Sequence, residues 1–277
     1  MRLLLPIAAL FLLSSCALAD LTEGYASSSQ QDPQKLLQQV AKAHGVSSWS
    51  AVNSYQVSLE DEFYGFFGKN GNPFPNNEAQ LKLEYLPGTF TGRATFLEGK
   101  WKDRVWGIHQ WKTYHKNTPT EAIRVKQDKD ILFWVPTYQY FIEFPARIQE
   151  ATYFEYLGTK SLAGTDHHVV LASWGKGTPQ KEIDQYLIYV HPETHRIGRL
   201  EYTVREVYGF ISGAVTFNDY LEKDGILFPT DMPVESNLVK EGLLHTMRIM
   251  DVSLNHIPAE QLIPAEVAEL DPGQKPN

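Results

Sequence analysis

Between two helical ends the chain alternates apolar and polar positions with a period of two. The alternation runs through SYQVSLEDEFYGF, QLKLEYL, TGRATFL, RVWGIHQW, EAIRVK, HHVVLASW, QYLIYV, RLEYTV, AVTFNDYL and LHTMRIMDVSL. In RLEYTV, Leu200, Tyr202 and Val204 share one face while Glu201, Thr203 and Arg205 share the other, as in a strand buried on one side. Turn material such as Leu86-Pro87-Gly88, the GKNGNP run at 68–73 and Lys223-Asp224-Gly225 separates the runs. Roughly ten strands with short connections and few intervening helices predict an antiparallel sheet in a mainly β, α+β domain.

Helical spacing is clearest near the start. Asp32 is placed to cap, Pro33 suits the first helical position, and Leu36, Leu37, Val40, Ala41 and Ala43 keep an apolar stripe. Gly45 stands where a helix-terminating glycine belongs. A weaker second helix is expected over 258–270. Residues 131–148, ILFWVPTYQYFIEFPARI, are apolar and aromatic almost throughout. Pro136 and Pro145 argue against a helix or a central strand passing through them. The expectation is a loop or short helix that packs Tyr138, Tyr140 and Phe141 over one end of the sheet, either capping the core or forming the rim of a cavity.

The first residues, MRLLLPIAALFLLSSCALA, place one cation before an apolar run and small residues after it, the order of a secretory signal. The apolar run at 3–13 is shorter than the roughly 20 residues a membrane-spanning helix needs. Two processing sites compete. Ala17-Leu18-Ala19 before Asp20 fits ordinary signal peptidase, whereas Leu13-Ser14-Ser15-Cys16 looks like a bacterial lipobox. Cys16 is the only cysteine in 277 residues, which favours lipidation at Cys16 over an idle position in a discarded leader. Ala17 behind Cys16 is no acidic retention signal, which by resemblance to enterobacterial lipoproteins implies the periplasmic side of the outer membrane for a lipidated chain; ordinary cleavage makes it soluble periplasmic or secreted. Residues 20–32, rich in Ser and Gln, read as a flexible tether, 33–270 as one β-rich domain and 271–277 as a disordered tail.

Composition sharpens this in two places. Aromatic content of 12% supplies more large apolar side chains than a small core needs, so an apolar cavity is feasible. A net charge of −8 argues against a nucleic-acid partner, which requires a clustered positive surface.

The C-terminal half carries a further pattern: LAGTDHHVVLAS at 162–173, QYLIYVHPETHRIGRLEYTV at 185–204 and AVTFNDYLEKDGILFPTDMPV at 214–234. His191-Pro192-Glu193-Thr194 makes a turn between two strands, and Asp224-Gly225 a tight turn before Ile226, Leu227 and Phe228 resume the sheet. These strand and turn signatures resemble the lipoprotein-carrier superfamily of the periplasmic carrier LolA and the outer-membrane receptor LolB. The resemblance implies a strongly curved antiparallel sheet, an incomplete barrel wrapped around a helix and an apolar cavity. The chain departs from the carriers in its length, in the aromatic 131–148 stretch, and in having no arginine that matches their gating arginine.

Catalytic patterns are sparse. Gly-x-Ser-x-Gly is absent, and Gly175-Lys176-Gly177-Thr178 lacks the spacing of a phosphate loop and reads as a hairpin turn. Asp61-Glu62 reads as a solvated strand end. His167 and His168 point to opposite faces of a strand, and His191 and His195 flank a turn, so no metal site is expected. No cofactor is implied. Trp101, Trp106 and Trp111 recur every five residues, and Trp134 and Trp174 are assigned to other strands.

The expected function is non-catalytic binding of a hydrophobic or lipid-like ligand in a half-barrel cavity. Its candidate lining is Trp106, Trp134, Tyr138, Phe141, Leu200, Tyr202, Val204 and Phe217. Two alternatives stand beside it. One is an envelope protein–protein interaction module with a filled core. The other is an enzyme with a dispersed site, for which Asp166, His167 and His191 are the first candidates.

Overall fold

The computed structural model describes residues 18–26, 28–238 and 242–273. Cys16, the lipidation candidate, and the end of the 271–277 tail lie outside the described residues. Helix α1, Pro33–Ala43, begins as expected: Asp32 accepts from the amides of Gln34 and Lys35, and Pro33 opens the first turn. It buries Leu36, Leu37 and Val40. Gly45 follows in the left-handed region with φ 68°, and a Cβ there would lie 1.7 Å from the Gly225 carbonyl oxygen, so only glycine fits.

Six strands then run as a meander: β1 Tyr55–Phe63, β2 Glu78–Leu86, β3 Thr91–Phe96, β4 Val105–His109, β5 Lys112–Lys116 and β6 Arg124–Val125. A short helix, α2, Gly65–Gly71, lies between β1 and β2. After α3, Lys129–Arg147, come β7 Tyr153–Leu162, β8 Thr165–Ser173, β9 Gln185–Val190, β10 Ile197–Thr203 and β11 Ser212–Thr216. The series ends with β12 Asp219–Lys223, β13 Ile226–Ser236 and β14 Leu243–Leu254. The expected second helix over 258–270 shrinks to a 3-10 turn, Ala259–Leu262, and a single turn α4, Ala265–Ala268. No described helix is long and apolar enough to cross a membrane.

The strands form one antiparallel sheet in the order β6-β5-β4-β3-β2-β1-β14-β13-β11-β10-β9-β8-β7, with β12 paired to β13. Two locally connected wings are joined where β14 returns to β1 and β13. β1 shows why one face is buried: Tyr55, Val57, Leu59, Asp61 and Phe63 point inward in strict alternation. Asp224 and Gly225 have φ 49° and 77°, the positive pair that a tight β12–β13 hairpin requires. The sheet does not close on itself, because β6 and β7 remain separate edges.

The concave face carries the main core. The convex face of the β7–β10 wing is apolar too, through Leu157, Val169, Leu171, Leu187 and Tyr189, and is covered by Leu21, Tyr25 and Tyr153. The stretch expected as a flexible tether therefore lies in part against the sheet. Tyr25 Oη is 2.9 Å from Tyr189 Oη, the Leu21 amide donates to Gln185 Oε1, and the Ser28 amide donates to the Tyr156 carbonyl. Its two large apolar residues, Leu21 and Tyr25, cover surface that water would otherwise meet.

Candidate functional site

The link between β6 and β7 joins the two outermost edges of the sheet, so it must cross the open mouth of the half-barrel. Nineteen helical residues span about 28 Å. The 131–148 stretch, expected as a loop or short helix broken by proline, is instead the body of α3. Each proline costs an interior helix roughly 3 kcal/mol, and local propensity loses here to tertiary contacts. Asp128 caps the first turn, Tyr85 Oη donates to the Val135 carbonyl beside Pro136, and ten α3 side chains are buried. Pro145 falls in the last turn. Trp134, assigned from sequence to a strand, lies on this helix.

Ring contacts carry α3 from one wing to the other. On the β1–β5 side, Trp134 packs on Phe63, Phe74 and Tyr138, and Phe74 packs on Phe96 and Trp106. On the β8–β10 side, Phe141 meets Tyr202, while Tyr140 and Phe144 meet Tyr186. Leu200 is buried in the same core, and Phe217 stacks on Tyr220 near α1. Seven of the eight residues expected to line a cavity thus share one apolar layer, in contact with its other members. Val204 does not: it lies just past β10, half-buried, where its carbonyl accepts from Val207 and Tyr208 in the turn. A cleft of about 380 Å³ opens at the sheet end near α2, lined by Phe74, Phe96, Trp101, Asn76, Gln80 and Glu98, and none of the eight expected residues borders it.

Two buried polar clusters pin α3, and neither was anticipated from sequence. Glu143 is 2% exposed and accepts from Tyr55 Oη and Gln139 Nε2 at 2.8 Å each and from the Gly88 amide at 3.1 Å. Arg147 completes the set at 2.8 Å, and also donates to the Thr89 carbonyl and lies over the Phe90 ring. Burial pushes the Glu143 carboxyl above the usual range, opposed by Arg147 and the hydrogen bonds. At the other end Asp61, fully buried, accepts from Tyr138 Oη at 2.7 Å and lies 2.7 Å from His245 Nδ1. His245 stacks on Phe63 with Trp134 edge-on. Reading Asp61 as a solvated strand end was wrong: alternation along β1 already put position 61 on the inward face with Leu59 and Phe63.

His167, His168 and His191 have structural partners. His167 and His168 do take opposite faces; His168 lies 2.9 Å from Tyr156 Oη, and His167 faces the close approach of Gly198. His191 Nδ1 accepts from the Glu193 and Thr194 amides and shapes the turn, while Asp166 is exposed at a hairpin end. Among the described residues no three His, Cys, Asp or Glu groups converge as metal ligands.

No known family profile and no curated protein matches the chain in sequence. Solved structures match its shape. A LolA superfamily protein from Nitrosomonas europaea superposes with a TM-score of 0.55 at 12% identity, over 86% of this chain and 100% of the other. A DUF1329 family protein from Desulfovibrio piger gives 0.52 at 11% identity, over 85% and 99%. A domain from Vibrio parahaemolyticus named for outer membrane lipoprotein sorting gives 0.51 at 12% identity, over 83% and 97%. The open antiparallel sheet with one helix laid across its mouth is the LolA-like fold.

Proposed function

We propose that the protein is a non-catalytic component of the bacterial envelope that holds a hydrophobic, lipid-like ligand between α3 and the concave face of the sheet. The observation that carries this reading is the nature of the α3 contacts. Across the mouth of the half-barrel many of them are ring against ring, with hydrogen bonds at Tyr85–Val135, at Tyr138–Asp61 and around Glu143 and Arg147. An acyl chain offers the same apolar surface as the rings it displaces, so exchanging one for the other costs little transfer free energy. The ligand would lie against Trp106, Trp134, Tyr138, Phe141, Leu200, Tyr202 and Phe217. In this reading Cys16 carries the lipid anchor and the domain works on the periplasmic side of the outer membrane, with an envelope protein as a further partner.

The packed interior favours a second reading, an interaction module whose core is permanently filled. Tryptophan emission separates the two. A brominated fatty acid that enters the layer quenches Trp106 and Trp134, which is the result expected for the binding protein. Emission unchanged at saturating lipid leaves the interaction module.

A further inference from the structure

Three consecutive connections at one end of the sheet carry half of the twelve exposed large apolar side chains among the described residues. Phe66 and Phe67, 75% and 50% exposed, lie in α2 after β1; Leu238 lies in the β13–β14 connection; Val207, Tyr208 and Phe210 lie between β10 and β11. The strands they leave and enter are neighbours in the sheet, so the three form one rim. Hydrogen bonds tie them together: Tyr64 N–H donates to the Leu244 carbonyl, Asn237 Nδ2 donates to the Phe210 carbonyl, and the Ser212 amide donates to Asn237 Oδ1. Tyr208 and Phe210 stack on each other, and Phe66 and Phe67 meet edge to face, so each pair presents rings to solvent.

The same rim receives the start of the domain. The Ala19 amide donates to the Gly209 carbonyl, and Arg205 donates to the carbonyls of both Ala19 and Gly209. Cys16 precedes Ala19 by three residues, a reach of at most about 10 Å. An acyl group on Cys16 would thus attach to the chain within that reach of the point where Ala19 meets the rim.

We propose that this rim is a membrane-docking surface that rests on a phospholipid bilayer, with Phe66, Phe67, Tyr208 and Phe210 entering the interface between headgroups and acyl chains. Among the described residues of the three connections the exposed charges are Lys69 and Glu206, one of each sign, so attachment through the rings is apolar rather than electrostatic. The anchor then sets where the protein is, and the rim sets how it faces the bilayer. The inference leans on the proposed lipidation only for the membrane as occupant and is independent of whether the interior holds a ligand.

Vesicle flotation tests it on the chain expressed with Cys16→Ala, which removes the acyl acceptor. The protein is expected to float with phosphatidylcholine vesicles, with or without phosphatidylglycerol, and raised salt leaves the binding unchanged. Phe66→Ser with Tyr208→Ser lowers partitioning at least tenfold, whereas Met250→Ser, exposed on β14 away from the rim, leaves it as it was. Circular dichroism checks that the variants fold. No flotation of the Cys16→Ala chain overturns the proposal, as does equal loss in the Met250 variant. Dimerisation or crosslinking to an envelope protein through the rim, without vesicle binding, assigns the surface to a protein instead. The mature mass of the unaltered chain separately decides the lipidation of Cys16, so the two ideas fail independently.

Discussion

Replacing Glu143 by Gln is the sharpest probe of how α3 is held. The side chain keeps its size, yet Arg147 loses its only ion-pair partner among the described residues, and one of the Glu143 oxygens becomes a donor facing donors. The Arg147 side chain is only 10% exposed, so its charge stays buried and is left with the Thr89 carbonyl and the Phe90 ring. Breaking a buried pair from one side costs about 3–5 kcal/mol. For a domain of this length each kcal/mol moves the melting midpoint by about 2–4 °C, so Glu143→Gln lowers it by about 6–20 °C. Arg147→Met behaves differently. It removes the cation that opposes burial, so Glu143 takes up a proton, and the raised carboxyl then sets the pH dependence. A carboxyl whose folded pKa is raised stabilises the fold below its unfolded value and loses that contribution as pH rises through the folded one. Arg147→Met is therefore most stable in acid and weakens towards neutrality. Paired with Glu143→Leu it costs less than the two single changes summed. Urea unfolding of the wild type, Glu143→Leu, Arg147→Met and the double variant at two pH values gives the full cycle, with Glu143→Gln measured beside it. A Glu143→Gln loss below about 1 kcal/mol, or strict additivity, would refute the account of α3 as pinned by a buried ion pair.

Other predictions rest on separate parts of the fold. Burial lowers the His44 pKa to about 4, and the ring accepts from the Ile197 amide through Nε2, so stability is complete above the unfolded value of 6.5 and is lost as pH falls from there towards 4. The loss amounts to roughly 3 kcal/mol at most, and His44→Gln should flatten it in pH-dependent chemical denaturation. Gly45→Ala should cost well over 1 kcal/mol, because it combines a positive φ with a backbone clash at Gly225; Gly88→Ala, with positive φ but open space, should cost less, and thermal melts rank them. Tyr138→Phe leaves one oxygen of buried Asp61 without its donor and should cost about 1–3 kcal/mol by urea unfolding. Pro136→Ala restores an α3 hydrogen bond and should raise the melting midpoint while slowing lipid exchange measured by tryptophan quenching.

Much of the architecture was readable from period-two alternation, because a strand with one wet face records its orientation in every second residue. RLEYTV predicted the inward Leu200 and Tyr202 and the outward Glu201. The helix α1 was readable because its cap, proline and stripe all agree locally. α3 was not, since Pro136 and Pro145 are locally unfavourable and the contacts that overrule them come from β1, β2, β9 and β10. The candidate layer was legible as an aromatic surplus, but its polar pins were not. Arg147 stands one helical turn from Glu143, but 143 and 147 fall in the stretch whose prolines argued against a helix, and only the fold brings Tyr55 and Gly88 around the pair. Asp61 could have been found, because it occupies an inward position of β1 beside a polar run.

The most direct test of the central proposal is native mass spectrometry of the mature protein purified from an envelope fraction without detergent exchange, with lipid extraction of the same sample. A protein that holds a lipid-like ligand beneath α3 is expected to carry a non-covalent adduct that denaturation releases and that Phe141→Arg, placed in the layer between α3 and β10, abolishes in a folded variant. A single bare mass, unchanged after incubation with envelope lipids, would contradict it and leave the domain as an interaction module with a closed core.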